Sequence, residues 1–287
     1  MKRSKAHIKE SDQIVVVCPV KQDNEYLIEF TDHYLKLGFD KIVFLDNNDD
    51  DSIKPSDVLM DYMVVDRVEM IDYRNMNFDD TLFKYSFYCN YDFAWVLFAD
   101  DDEFLELRKH ASIREFLASF NADATKILFN NRHYGDNNQI FYKPGNVMDR
   151  FPEPLPLDLS MPGDSGPIVH NSAIKSIIKK KQAEEIRVTS HCLIDDTPHY
   201  NADNQIVELE HGLWRVSNEN ITYETACIKH YCTKSLEEFV KCKMKRAQTN
   251  SSRYENRFKL DSYYFLFNER TIEKEQMIDY FTQKYLS

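Results

Sequence analysis

The chain has 287 residues, with 48 Asp and Glu against 36 Lys and Arg for a net charge of −12, and only 6 Gly and 6 Cys. With 43% hydrophobic and 13% aromatic residues it carries too much apolar surface for a disordered chain, and its length allows one large α/β domain with an appended lobe, or two domains. The acidic balance argues against nucleic acid as a partner, because binding phosphates needs a basic footprint, and the sparse glycines leave neither a GxGxxG fingerprint nor a P-loop.

The cysteines Cys18, Cys89, Cys192, Cys227, Cys232 and Cys242 form no CxxC pair and read as reduced thiols. The opening MKRSKAHIKESDQ has no apolar h-region, and no run approaches the ~18 apolar residues of a membrane span, so the expected compartment is the cytoplasm.

In chain order, Ile14–Val17 is a β-branched strand, followed by a helix over 24–37 with Asp23 or Asn24 as cap and Gly38 at its end. Lys41–Asp46 is a second strand, 56–62 a short helix, 63–68 a third strand, 80–89 a helix and 94–99 a fourth strand. Short apolar runs separated by helices imply an α/β fold with a parallel sheet buried on both faces. A helix over 112–120 and a strand over 126–130 precede a loop at 144–167 that holds six of the nine prolines. Strand-like segments follow at 173–178, 186–193, 206–216 and 222–231. The chain closes with helices over 235–248, opened by the capping box Ser235 to Glu238, then 261–268 and 273–285.

The strongest chemical signal is Trp95-Val-Leu-Phe-Ala-Asp100-Asp101-Asp102-Glu103-Phe104, an apolar strand running directly into four acids. Ligands of open α/β sheets bind at the carboxyl ends of the strands, where this cluster falls. Acids so close repel one another unless a cation neutralises them, and hard carboxylate oxygens suit Mg²⁺ or Mn²⁺, which can bridge a nucleotide diphosphate. A solvated acidic loop is the plain alternative. Asp46-Asn-Asn-Asp-Asp-Asp51 ends the second strand on the same rim, as a ribose or base partner or as an Asx-rich turn. Glu25, after strand one, is a further candidate ribose partner.

The order Val17-Cys18-Pro19-Val20-Lys21, Asn24-Glu25-Tyr26-Leu27, His33-Tyr34, Leu37-Gly38-Phe39-Asp40-Lys41-Ile42, Leu45-Asp46-Asn47 and Phe98-Ala-Asp-Asp-Asp-Glu-Phe104 resembles glycosyltransferases of the GT-A fold. It is most similar to the family-two-like group and its relatives in family ninety-two. The likeness continues through Phe129-Asn-Asn-Arg-His-Tyr-Gly-Asp136, Val147-Met-Asp-Arg-Phe151, Ile174-Lys-Ser-Ile177 and Ile228-Lys-His230-Tyr-Cys-Thr-Lys234-Ser-Leu-Glu-Glu-Phe239. Departures are the Gln-Asp between Lys21 and Asn24, Phe30 where the family has Trp, and the absence of a second glycine after Gly135.

The resemblance implies a GT-A-type nucleotide-sugar-binding sheet over 12–232, with its nucleotide part at about 12–105 and its acceptor part at about 125–232. Helices at 233–287 would pack on it. It further implies transfer from a nucleotide-sugar donor, UDP-sugar favoured, to a glycan or lipid-linked glycan, by inverting direct displacement. Asp100 and Asp102 would hold Mn²⁺ or Mg²⁺ with His230 as third ligand and His191 as runner-up. Pro19, Lys21, Glu25, Asp46, Asp100 and Lys234 would bind the donor nucleotide, and Asp136 would be the base, with Glu153 and Asp149 behind it. Lys175 and the Lys179 to Lys181 run read as surface lysines. The basic and aromatic stretch 241–267 would either touch a membrane surface or pack its aromatics and leave its cations wet. A metal-dependent nucleotidyltransferase ranks second, for want of a glycine-rich loop after strand one, and a non-catalytic carbohydrate-binding protein on the same scaffold third.

Overall fold

β1 (Ile14–Val20) sends alternate side chains into two apolar layers, as a two-residue period requires. Ile14, Val16, Cys18 and Val20 enter one core cluster, and Val15 and Val17 the other. α1 (Leu27–Lys36) lays Leu27, Phe30 and Tyr34 on the first layer and ends at Gly38, whose φ of +92° suits glycine. β2 (Lys41–Asp46) repeats the alternation, with Ile42 and Phe44 on the first side and Val43 and Leu45 on the second. α2 (Pro55–Val58) and α3 (Met60–Val64) lead to β3 (Val68–Asp72). α4 (Asp80–Asn90) covers the second layer with Phe87 and Tyr88.

The structure, a computed structural model, describes residues 12–21, 24–48, 54–74, 80–161, 168–180, 187–188, 191, 193–194, 197–210, 214–245 and 261–286. Asp49 to Asp51, Lys181, Cys192, Arg246, Arg253, Arg257 and Phe258 lie outside them.

β4 (Trp95–Phe98) and β5 (Glu103–Leu107) flank the acidic turn, and α5 (Ile113–Ala118), capped by Ser112, packs on the first layer. β6 (Lys126–His133) and α6 (Val147–Arg150) follow, then β7 (Ser160–Met161), β8 (Ile168–Val169), β9 (Ile174–Lys179), β10 (Arg187–Val188), β11 (Leu193–Ile194) and β12 (His199–Asn201). β13 (Ile206–Val207), β14 (Leu209–Glu210), β15 (Arg215–Val216) and β16 (Ala226–His230) complete the strands.

The main sheet runs β13-β12-β6-β9-β4-β1-β2-β3, with β16 joining β5 to β6. β1 is parallel to β2 and β4, whereas β9 is antiparallel to both β4 and β6. The chain thus has the α/β architecture expected from its sequence, with a parallel half and a mixed half. Three strands differ from expectation: 186–193 and 206–216 are not single strands but contain the antiparallel pairs β10/β11 and β14/β15, and 63–68 is not extended. Helix α3 runs through Val64, Asp66 turns at φ +57°, and the strand starts only at Val68. Val64 and Val65 are 78% and 63% exposed, so their β-branched side chains mark no buried strand.

After β16, α7 (Leu236–Glu238) opens with the expected capping box and passes into a π-helical stretch, Phe239–Met244. A short helix, Asp261–Tyr264, and a long one, Ile272–Leu286, end the chain. These pieces share a satellite core of Leu236, Phe239, Val240, Met244, Tyr264, Ile278 and Phe281. Two buried polar junctions tie them to the sheet. At one, Glu238 accepts from Arg150 Nη1 and Nη2 at 3.0 and 2.8 Å and from the Tyr26 hydroxyl. At the other, Asp136 pairs with Lys274 at 2.6 Å and accepts from the Tyr264 hydroxyl. Gly135 sits at this second junction, where a Cβ would come within 2.8 Å of the Phe267 carbonyl oxygen.

Candidate active site

The carboxyl ends of β1, β2 and β4 lie side by side, because the three strands are parallel neighbours. β5 then runs back beside β16, whose register sets His230 opposite Glu103 and, across the other edge, His133. Backbone pairing alone therefore gathers the acidic turn and two histidines, and the Tyr231 N–H donates to the Asp102 carbonyl at 2.9 Å.

Asp100, Asp102 and Glu103 of the turn each meet a cation. Lys175, on β9 and 3% exposed, reaches Asp100 Oδ2 at 3.0 Å and Glu103 Oε2 at 2.9 Å. Burial opposes the ammonium, yet the two carboxylates raise its pKa above the ordinary lysine range. Desolvation at the rim likewise pushes the half-exposed Asp100 up, but Lys175 and Lys84 outweigh it and hold the carboxyl well below its usual value. Lys243, delivered by the π-helical stretch, pairs with Asp102 Oδ2 at 2.6 Å. Against the penalty of burial, Lys243 and His230 keep Asp102 ionised far below the usual range. Glu103 is 1% exposed, and burial raises its pKa despite Lys175.

His230 Nε2 lies 3.5 Å from Asp102 Oδ1, the oxygen opposite the one Lys243 holds. His230 Nδ1 is buried without a hydrogen bond, 4.0 Å from Glu103 Oε1. The His133 ring lies tilted against it with centroids 4.9 Å apart, and burial drives the His133 pKa well down.

The other residues expected from sequence spread around this centre. Pro19 pairs in register with Leu45 at the end of β1, and Lys21, just beyond, is 5% exposed. Asp46 accepts from the Asn48 N–H and amide at 3.1 and 2.7 Å and lies 3.6 Å from Arg74, so its carboxylate serves a local turn. Glu25 is exposed and faces Lys241 at 3.8 Å. Lys234 adopts φ +55°, is 5% exposed, and places Nζ 3.9 Å above the Tyr26 ring while adding to the field on Asp102. His191 donates through Nδ1 to the Ile174 carbonyl, 2.9 Å away, and burial lowers its pKa to about 3. Asp136 is 4% exposed, with its carboxylate taken up by Lys274 and Tyr264 at the junction with the C-terminal helices.

Three lysines were misjudged from sequence. Lys175 is a buried ion-pair partner, and Lys180 donates to the Tyr91 carbonyl at 3.0 Å at the end of α4. The signal for Lys175 was present: a lone cation inside the apolar run Ile174 to Ile178 needs a buried counter-charge. Lys243, placed among cations that would stay wet or meet lipid, points into the acidic site instead.

Among the described residues no group of three or more His, Cys, Asp or Glu side chains is gathered to hold a metal ion by itself. The donor set fits a shared ion. Asp102 Oδ1 and His230 Nε2, 3.5 Å apart, can both bind one cation at about 2.1 Å. Mg²⁺ and Mn²⁺ commonly take only one or two protein groups when phosphates and water supply the rest.

A model of glycosyltransferase family 92 matches residues 12–262. Similar solved structures include S. aureus TarS 1–349, 13% identical over 58% of this chain and 47% of that one, with a TM-score of 0.37. A mannosyltransferase from Pyrobaculum calidifontis, solved in complex with GDP-Man and Mn²⁺, is 10% identical over 42% of this chain and 36% of its own, with a TM-score of 0.33. The chain thus spans about half or less of the solved chains it matches. A comparison with curated proteins finds no match.

Proposed function

The chain belongs to glycosyltransferase family 92, and from this premise we propose that it transfers a sugar from a nucleotide-sugar donor to a glycan-type acceptor at the rim formed by β1, β2 and β4. The observation that carries the reading is Asp102, buried, ionised and 3.5 Å from His230, at the carboxyl end of a parallel strand. Asp102 and His230 would hold the divalent cation, with Asp100 beside them. When bound, that ion offsets the negative charge that builds on the departing nucleoside diphosphate.

The chain's own cations do related work. Lys243 and Lys175 neutralise the acidic turn in the free protein, and Lys243 turns to the donor diphosphate once Asp102 is otherwise engaged. Lys234 is positioned by its Tyr26 contact on the same side. Direct displacement at the anomeric carbon needs a base on the acceptor hydroxyl. In this reading Glu153 replaces Asp136 in that role. It is exposed, its backbone is tied to Asn137 at 2.8 Å, and Leu155 two residues on donates to the His133 carbonyl at 2.9 Å. Residues 12–232 would form the catalytic part, and the helices from 233 onward would hold Lys243 in place. No described helix is long and apolar enough to cross a membrane.

Incubation with UDP-, GDP- and dTDP-sugars and Mn²⁺ should release free nucleoside diphosphate from one donor class. Release from none of them, with no nucleotide shifting the melting temperature, would end the reading. Lys243→Met removes the ammonium that competes for Asp102, so Mn²⁺ affinity without nucleotide should rise roughly tenfold, about 1.4 kcal/mol. Free Mn²⁺ measured by electron paramagnetic resonance reports this, and an unchanged affinity would show that Lys243 does not guard the site.

A further inference from the structure

Arg215 is 2% exposed and among the largest fully buried side chains, yet its Nε and Nη1 have no hydrogen-bond partner. No carboxylate of the described residues lies within ion-pair distance, and Glu210, opposite it in register, is exposed. Its guanidinium stacks on the Trp214 ring at 3.7 Å, which orients the plane without satisfying its donors. Desolvation alone lowers its pKa to about 10, the mark of a cation with no anion beside it. Arginine does not escape this penalty by losing its proton near neutral pH, so a buried, unpaired guanidinium calls for a counter-charge.

A second buried group points the same way. His170 is 7% exposed, its Nε2 has no partner, and it feels the Arg215 charge. The two are brought together by backbone pairing: Ala173 bridges Arg215, and the Ile174 N–H donates to the Trp214 carbonyl at 3.1 Å. This cluster adjoins the acidic site from two directions. Lys175, which holds Asp100, follows Ile174 in the chain, and the His170 carbonyl accepts from His133 Nε2 at 3.3 Å, whose ring lies tilted against that of His230.

We propose that Arg215 and His170 form an anion-binding site beside the catalytic rim that receives a carboxylate or phosphoryl substituent of the acceptor sugar. Arg215 supplies planar charged donors, and neutral His170 supplies an Nε2–H in the tautomer that faces the anion. The assignment to the acceptor rests on the proposed sugar transfer, whereas the binding itself does not.

The test is a thermal-shift series at constant ionic strength in chloride, with inorganic phosphate, glucose 6-phosphate, glucuronate and uncharged glucose as probes. The wild-type protein should gain about 2–4 °C near tenfold saturation from at least one charged sugar and nothing from glucose. Arg215→Met should lose that gain and keep its response to Mn²⁺ with nucleoside diphosphate, which separates this site from the donor site. Arg215→Lys, a second variant should Arg215→Met fail to fold, should keep only part of the gain. An equal gain in the Arg215 variants, or no wild-type response beyond that to chloride, would overturn the anion site. A response to inorganic phosphate without either charged sugar would overturn the acceptor assignment and leave a free-phosphate site in its place.

Discussion

Asp102→Asn is expected to reduce nucleoside diphosphate release by at least about 10²-fold and to abolish the Mn²⁺-dependent part of nucleotide stabilisation. The carboxylate is buried between Lys243 at 2.6 Å and His230 at 3.5 Å, so the amide keeps the shape and removes the charge on which both depend. The fold should survive, because Asp102 lies in a turn and its carbonyl, which accepts the Tyr231 N–H, is unchanged. Asp100→Asn should be milder, since Asp100 is half-exposed and Lys175 retains Glu103 at 2.9 Å. Equal activities for wild type and Asp102→Asn would remove Asp102 from the chemistry.

Glu238→Ala is expected to cost about 3–5 kcal/mol of stability, the usual result of stripping one partner from a buried ion pair. Glu238 is 2% exposed and accepts from Arg150 twice, from Ser235 and from Tyr26, so its loss strands a buried guanidinium and frees the capping box at once. Its pKa is pushed up by burial but drawn below the ordinary glutamate value by the Arg150, Ser235 and Tyr26 hydrogen bonds. A carboxyl depressed on folding contributes stability that is complete above its unfolded pKa and lost as pH falls through the folded one. The wild-type melting temperature should therefore drop as pH falls below about 4.3, and Glu238→Ala should show a shallower acid limb. Thermal denaturation across pH 3 to 7 measures both. A variant that melts like wild type would mean that this junction does not hold the C-terminal helices.

Much of the N-terminal half was legible in the sequence because its strands bury both faces. Ile14 to Val17 and Ile42 to Phe44 are β-branched or aromatic throughout, and a parallel sheet leaves no solvent face to blur that signal. The acidic turn was legible for the same reason, as charge ending an apolar run. Two kinds of feature escaped. Where β-branched residues end a helix, as Val64 and Val65 do, local propensity misplaces the strand. Partners distant in sequence leave no periodic trace: Lys175 meets Asp100 across 75 residues, Lys243 meets Asp102 across 141, and Arg150 meets Glu238 across 88. Their identities depend on strand order and on the π-helical turn, which residue types alone do not specify. The net charge of −12 was informative mainly by location, with 30 acids and 18 basic residues before residue 161 and 18 of each after it. The structure adds that basic residues of the second part, Lys175, Lys234 and Lys243, are turned toward the acids of the first.

The central claim is that a nucleotide donor binds at Asp102 through a divalent cation. It is tested most directly by the melting temperature of the wild-type protein with UDP, GDP or dTDP, once with Mn²⁺ and once with EDTA. A clear rise with one nucleotide in Mn²⁺ that disappears in EDTA is the result the account predicts. Stabilisation of the same size in both, or in neither, would contradict it.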